Sequence, residues 1–208
     1  MTLEKIYSTL KDIKYDSSKM VTFIEDLRLA IIDKDIKEST PAVKWTAIKK
    51  LLKASKNRPV LTYIDTSNGD QRFTDAYRAF VLKNEDMIKN LHEDYIHSEA
   101  AKRGHVQSEY PNLNSIIDPL LKSHHDTYKV KVDELKKICK VDDFIEFNTR
   151  DFTITFNSKY VLDALNILQF KNNDTVTFYL QHSNIRPAYI KNDNDSIALL
   201  LPIKKDEW

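Results

Sequence analysis

The chain has 208 residues, 41% hydrophobic and 30% charged, with 32 Lys and Arg against 31 Asp and Glu for a net charge of +1. That length holds one large folded domain or two small ones. The balance excludes a disordered charged tail and a uniformly basic nucleic-acid binder, while still permitting one basic face.

Two glycines, Gly69 and Gly104, rule out Gly-rich phosphate loops. Cys139 is the single cysteine, so no internal disulfide forms and a reducing, cytoplasmic compartment is expected. No run of about 18 apolar residues offers a membrane span. The opening MTLEKIYSTLKDIKYD carries early acids and no apolar core, so no signal peptide is expected.

In chain order, Leu3, Ile6, Leu10 and Ile13 stand at helical spacing over residues 3–15, and Met20, Phe23, Ile24, Leu27, Ile31 and Ile32 repeat that spacing over 17–36. Ser17 or Ser18 is a candidate cap for the second helix, and Ser39-Thr40-Pro41 ends it. Ala42–Trp45 reads as a short strand. Thr46–Lys56 reads as a helix with Ile48, Leu51 and Leu52 inward and lysines outward. Arg58–Ile64, rich in β-branched and aromatic residues, predicts a strand. Ser67-Asn68-Gly69-Asp70 predicts a hairpin turn, with Arg72–Leu82 as the return strand.

Residues 84–108 are helix-compatible, and Tyr110-Pro111 opens an extended link. Tyr128–Lys140 repeats the design of a short strand followed by a lysine-bearing helix. A hairpin over Asp142–Phe147 and Phe152–Thr155, a helix Ser158–Phe170, and strands Val176–Gln181 and Ile197–Ile203 complete the reading.

No catalytic constellation emerges. His92-Glu93 with His97 misses the zinc-protease spacing, because Ile96 occupies the required position. His124-His125 has no partner at metal spacing. Asn192-Asp193-Asn194-Asp195 lacks the Gly and closing Glu of a calcium loop and reads as a turn between strands. Cys139 falls inside a helix as a core residue.

Several stretches together resemble one family. Phe156-Asn157-Ser158-Lys159-Tyr160-Val161-Leu162 and Leu199-Leu200-Leu201-Pro202-Ile203-Lys204 resemble the end of the bacterial DNA sliding clamp, the beta subunit of the replicative polymerase. Arg58-Pro59-Val60-Leu61 followed by Phe73-Thr74-Asp75-Ala76-Tyr77-Arg78 resembles the first half of a clamp domain. Tyr110-Pro111 with Ile116, Ile117 and Pro119 resembles the family's interdomain link.

The resemblance implies an α+β, DNA clamp-like fold, with helices packed on antiparallel sheets. Residues 1–40 form a helical extension, 41–119 a first abbreviated clamp-like unit and 120–208 a second. Family subunits have three domains, so the implied form is a reduced, phage- or prophage-type member. The implied function is non-catalytic: a processivity or tethering factor in DNA replication or repair, needing no cofactor and no metal. The implied partners are double-stranded DNA held without sequence preference, and DNA polymerase or other replication proteins bound through short linear peptides. A homo-oligomer follows, a trimer if the ring closes.

Candidate DNA contacts are Lys49, Lys50, Lys53 and Lys56, then Lys136, Lys137 and Lys140, then Lys159. Lysines suit this because phosphate contacts carry no sequence information, although lysines on a helix face are ordinarily just solvated. The implied peptide pocket is lined by Thr74, Ala79, Leu199, Leu201 and Pro202, with Pro119 nearby; Ala79 stands where the family prefers a larger aliphatic residue. The alternative is a protein–protein adaptor or clamp-interaction modulator that keeps the fold without forming a ring.

Overall fold

The computed structural model describes residues 17–123 and 125–203. The helix expected over 3–15, His124 and Lys204 lie outside the described residues.

The backbone of Ser17–Ser39 forms α1, which ends where Ser39-Thr40-Pro41 breaks the apolar pattern. Pro41 then caps α2, Ala42–Ala54. The strand expected over Ala42–Trp45 is instead the first turn of α2, because Pro41 fixes the chain's entry and Trp45 N donates to Pro41 O at 3.1 Å. Arg58–Ile64 is also not a strand. Pro59 opens a 3-10 turn over Pro59–Thr62, the position at which proline's missing N–H costs nothing.

Hairpin β1–β2 follows, Gln71–Thr74 with Arg78–Leu82, so the expected single return strand is two strands joined by the turn Asp75-Ala76-Tyr77. The Asn68-Gly69 turn forms upstream as read, with Gly69 at φ +78° and Asp65 bridging Arg72. Residues 84–108, helix-compatible in sequence, hold two 3-10 turns and the short helix α3, His97–Lys102. The expected extended link contains α4, Asn114–Lys122, with Pro119 inside it.

Strand β3 (Asp126–Lys131), α5 (Val132–Val141), the hairpin β4–β5 (Phe144–Asn148 and Thr153–Asn157) and α6 (Ser158–Ile167) follow the sequence reading closely. Beyond them, β6 (Thr175–Leu180) and β8 (Ile197–Leu200) flank an additional strand, β7 (Ala188–Lys191), in what read as a loop.

One antiparallel sheet runs β1-β2-β8-β7-β6-β3, joining strands from both sides of position 119. Its inward face carries Phe80, Ala198, Leu200, Ile190 and Phe178, which pack on a helix layer in which α6 touches both α2 and α5. Trp45, Ile48 and Leu51 of α2, Leu135 of α5, and Val161 and Leu165 of α6 close this core. Alternation puts Ala79, Val81, Ile197, Leu199 and Tyr189 on the other face, under Leu113, Ile117 and Leu120 of the segment leading into and through α4. The molecule is therefore an α+β fold of helices on an antiparallel sheet, with a clamp-like arrangement of layers. Among the described residues no helix is long and apolar enough to cross a membrane.

Candidate functional site

An apolar cavity of about 420 Å³ opens on the sheet face away from the helix layer. Its walls come from four places. The β1–β2 turn supplies Thr74, Ala76, Tyr77, Arg78 and Ala79, and the end of β8 supplies Leu199 and Leu201. The 3-10 turn contributes Arg58, Val60 and Leu61, and the approach to α4 contributes Pro111, Leu113, Ile116 and Ile117. Thr74, Ala79, Leu199 and Leu201, predicted from sequence, thus meet in one cavity. Pro119 lies exposed on α4 and Pro202 follows Leu201, both outside the lining. Val60, Leu113, Ile116 and Ile117 were not among the pocket residues that the resemblance implied, although Val60, Ile116 and Ile117 fall in its motifs beside Pro59 and Pro111.

The turn that shapes the cavity is heavily tied. Thr74 Oγ1 donates to Arg78 O at 2.7 Å and accepts from Ala76 N at 3.0 Å. Asp75 Oδ1 accepts from Tyr77 N and Arg78 N at 3.0 and 2.9 Å. These bonds hold Ala76 at φ +75°, a left-handed conformation unfavourable for a residue with a Cβ. Leu201 N donates to Tyr77 O at 3.0 Å, joining the two walls.

Beneath this turn lies a buried ionic group. Arg78 Nε and Nη2 donate to Asp75 Oδ2 at 3.0 and 2.8 Å, and Arg78 Nη1 donates to Asp163 Oδ2 of α6 at 2.7 Å. The guanidinium carbon stands 4.2 Å from the centroid of the Tyr160 ring. Burial pushes the Tyr160 hydroxyl above its ordinary range, with Asp75 adding to the effect. Burial likewise raises Tyr110, next to Pro111 of the cavity wall.

The candidate DNA lysines divide in two. Lys49 pairs with Asp33 of α1, Lys50 Nζ lies 3.5 Å from Asp163 Oδ2, and Lys137 lies 3.4 Å from Asp133. Lys136 donates to Phe170 O and Asn172 Oδ1 at 3.3 and 3.0 Å. Lys53, Lys56, Lys140 and Lys159 are exposed and make no ion pair among the described residues. Lys159 sits in the first turn of α6, where Asn157 Oδ1 caps its N–H at 2.9 Å. Lys44, by contrast, is buried; it donates to Asp86 O at 2.5 Å, and burial pushes its ammonium down to about 8.

His92, His97 and Asn192, weighed in the sequence as possible ligands, have structural partners. His92 Nδ1 accepts from Asp94 N at 3.2 Å, and His97 Nε2 lies 3.0 Å from Ser108 O. Asn192 Oδ1 accepts from Asn194 N and Ser196 N, making the turn between β7 and β8. Burial pushes the Cys139 thiol up to about 11.

No protein-family model matches this sequence, and no curated protein matches it. Among solved structures the chain is similar to the Helicobacter pylori β clamp in complex with diflunisal, at a TM-score of 0.54 and 14% identity, over 79% of this chain and 64% of that one. It also aligns with the sliding clamp (DNA polymerase III subunit beta) of Bartonella birtlesii bound to griselimycin, at 0.48 and 14%, over 76% and 64% of the two chains. The H. pylori β clamp bound to a DNA ligase peptide aligns at 0.49 and 16%, over 76% and 62%. Of these three the first exceeds one half, and the fold assignment rests on it. This chain therefore has the fold of the bacterial sliding clamp, the β subunit of DNA polymerase III, over 64% of the length of the H. pylori protein.

Proposed function

We propose that this protein is a non-catalytic, clamp-type tether that holds duplex DNA along its helix layer and captures replication or repair proteins by short peptides. The observation that carries the reading is the cavity of about 420 Å³, in which Thr74, Ala79, Leu199 and Leu201 converge with Ile116 and Ile117. Pockets of this size and apolarity gain affinity by burying a few anchor side chains of a partner. The exposed Lys53, Lys140 and Lys159 supply phosphate contacts from α2, α5 and α6. Residues 41–119 and 120–208 act as two clamp-like units, with residues 1–40 as an added helical extension.

Assembly into a ring requires copies to meet edge to edge. Ile138, Val141 and Phe144 are 40%, 84% and 46% exposed at the end of α5 and the start of β4, and β3 is an edge strand of the main sheet. Sedimentation at micromolar concentration tests closure: a trimer supports a ring, and a monomer at all concentrations contradicts it.

A specific observation supports the second reading, an adaptor. Met20, Val21, Ile24 and Ile31 of α1 are exposed apolar residues, and several helix-layer lysines are already paired with the protein's own carboxylates. The two readings separate on a titration with duplex DNA and with a short peptide bearing two adjacent apolar anchors. A tether binds both, an adaptor binds peptide alone, and a protein binding neither contradicts both.

A further inference from the structure

A single carboxylate oxygen joins the helix layer to the cavity. Asp163 Oδ2 lies 2.7 Å from Arg78 Nη1 and 3.5 Å from Lys50 Nζ. The three groups differ in exposure: the Arg78 side chain is 3% exposed, that of Asp163 11% and that of Lys50 61%. Lys50 thus reaches the surface that carries Lys53, while Arg78 forms part of the cavity wall.

We infer that a polyanion drawn to Lys50 strengthens peptide binding in the cavity, so that duplex DNA and peptide bind with positive linkage. This rests on the reading given under Proposed function and adds a connection between its two sites.

Arg78 and Lys50 compete electrostatically for one carboxylate oxygen. Two cations share Asp163 Oδ2, and each weakens the other's hold by charge repulsion. A phosphate beside Lys50 satisfies that ammonium from the solvent side. Asp163 then serves Arg78 alone, and a charge-assisted bond in a buried setting gains most from losing its competitor. Arg78 in turn grips Asp75, whose other oxygen holds the N–H groups of Tyr77 and Arg78. Tyr77 O accepts from Leu201 N, so the same chain of bonds sets the distance between the turn wall and the β8 wall. A firmer Arg78 therefore pre-forms the cavity. Reciprocity requires that peptide strengthen duplex binding by the same factor.

The effect is modest, because the Lys50 pair is largely exposed. Pairs of that kind cap the linkage at about fivefold. The test measures the affinity of a neutral, two-anchor peptide with and without a saturating 20-base-pair duplex at low salt. Wild type is expected to bind peptide about threefold tighter with duplex present. Lys50→Gln, which removes the competing cation, is expected to show the tighter affinity without duplex and no further gain with it. Lys122→Gln, at an exposed lysine of α4 outside the cavity lining and without an ion pair to Asp163, is expected to keep the wild-type ratio. Duplex bound with peptide affinity unchanged, or Lys50→Gln indistinguishable from wild type, overturns the linkage alone. Absence of duplex binding overturns the tether reading and the linkage with it.

Discussion

Arg78 and Asp163 stand 85 positions apart in sequence and 2.7 Å apart in space, joining the β1–β2 turn to α6 in a nearly dry setting. Removing one member leaves the other buried and short of a counter-charge, which costs more than the pair itself contributes. Asp163→Asn is expected to lower unfolding free energy by about 3 kcal/mol, the low end for such a break because Asp75 still serves Arg78. The double change Arg78→Met with Asp163→Leu is expected to lose more still, because it leaves the Asp75 carboxylate, 5% exposed, without its counter-charge. Urea unfolding of wild type and the two variants checks both; equal stability of wild type and Asp163→Asn contradicts the account.

The cavity wall offers a change with little effect on folding. Ile116 is 52% exposed at the cavity's α4 side. Ile116→Asp is expected to weaken peptide binding about tenfold by placing an unpaired charge against the apolar anchors. Calorimetric titration measures the affinity, and an unchanged melting temperature shows that the fold is intact.

Lys44 makes stability depend on pH in a particular direction. Its folded-state value is about 8, below the ordinary lysine range, because burial disfavours the charge. Below pH 8 both folded and unfolded chains hold the proton, and the cost of burying it is fully present. Between about pH 8 and 10 the unfolded chain binds more protons, so this site's contribution to stability rises with pH. Lys44→Met removes that dependence. The stability difference between wild type and Lys44→Met is expected to shift in favour of wild type by about 2.5 kcal/mol from pH 7 to pH 10. Parallel pH profiles for the two proteins contradict this.

Cys139 is buried and its thiol is pushed up to about 11. At pH 8 only about one thiol in a thousand is ionised in the folded protein. Alkylation of native protein is expected to run at least about a hundredfold slower than in denaturant. Rapid native labelling contradicts the placement of Cys139 in the core.

The sequence exposed the parts of the fold that obey one period for several residues. The pairs β3–α5 and β5–α6 were legible because Val132, Leu135 and Cys139 keep helical spacing, while Ile154 and Phe156 alternate to one face. Arg58–Ile64 misled because its β-branched content outweighed Pro59, whose place at the start of a helical turn decides the local structure. Strand β7 was hidden by its length: Ala188–Lys191 offers one alternation, and pairing with β6 and β8 rather than propensity makes it a strand. Four cavity residues, Thr74, Ala79, Leu199 and Leu201, were legible through the family resemblance of the β1–β2 turn and the β8 end. Ile116 and Ile117 reach the cavity only because an unforeseen helix, α4, turns them onto the sheet. The Arg78–Asp163 pair has no local signature, since its members come from separate elements.

The central claim is that the helix layer holds duplex DNA by its phosphates. Its most direct test is the affinity for two duplexes of unrelated sequence, measured against salt for wild type and for the triple change Lys53→Gln, Lys140→Gln, Lys159→Gln. The account predicts equal affinities for the two duplexes, a steep fall with salt, and a log–log slope smaller by about 2.7 in the triple variant. No binding at low salt, or a slope unchanged by the loss of the three lysines, would contradict it.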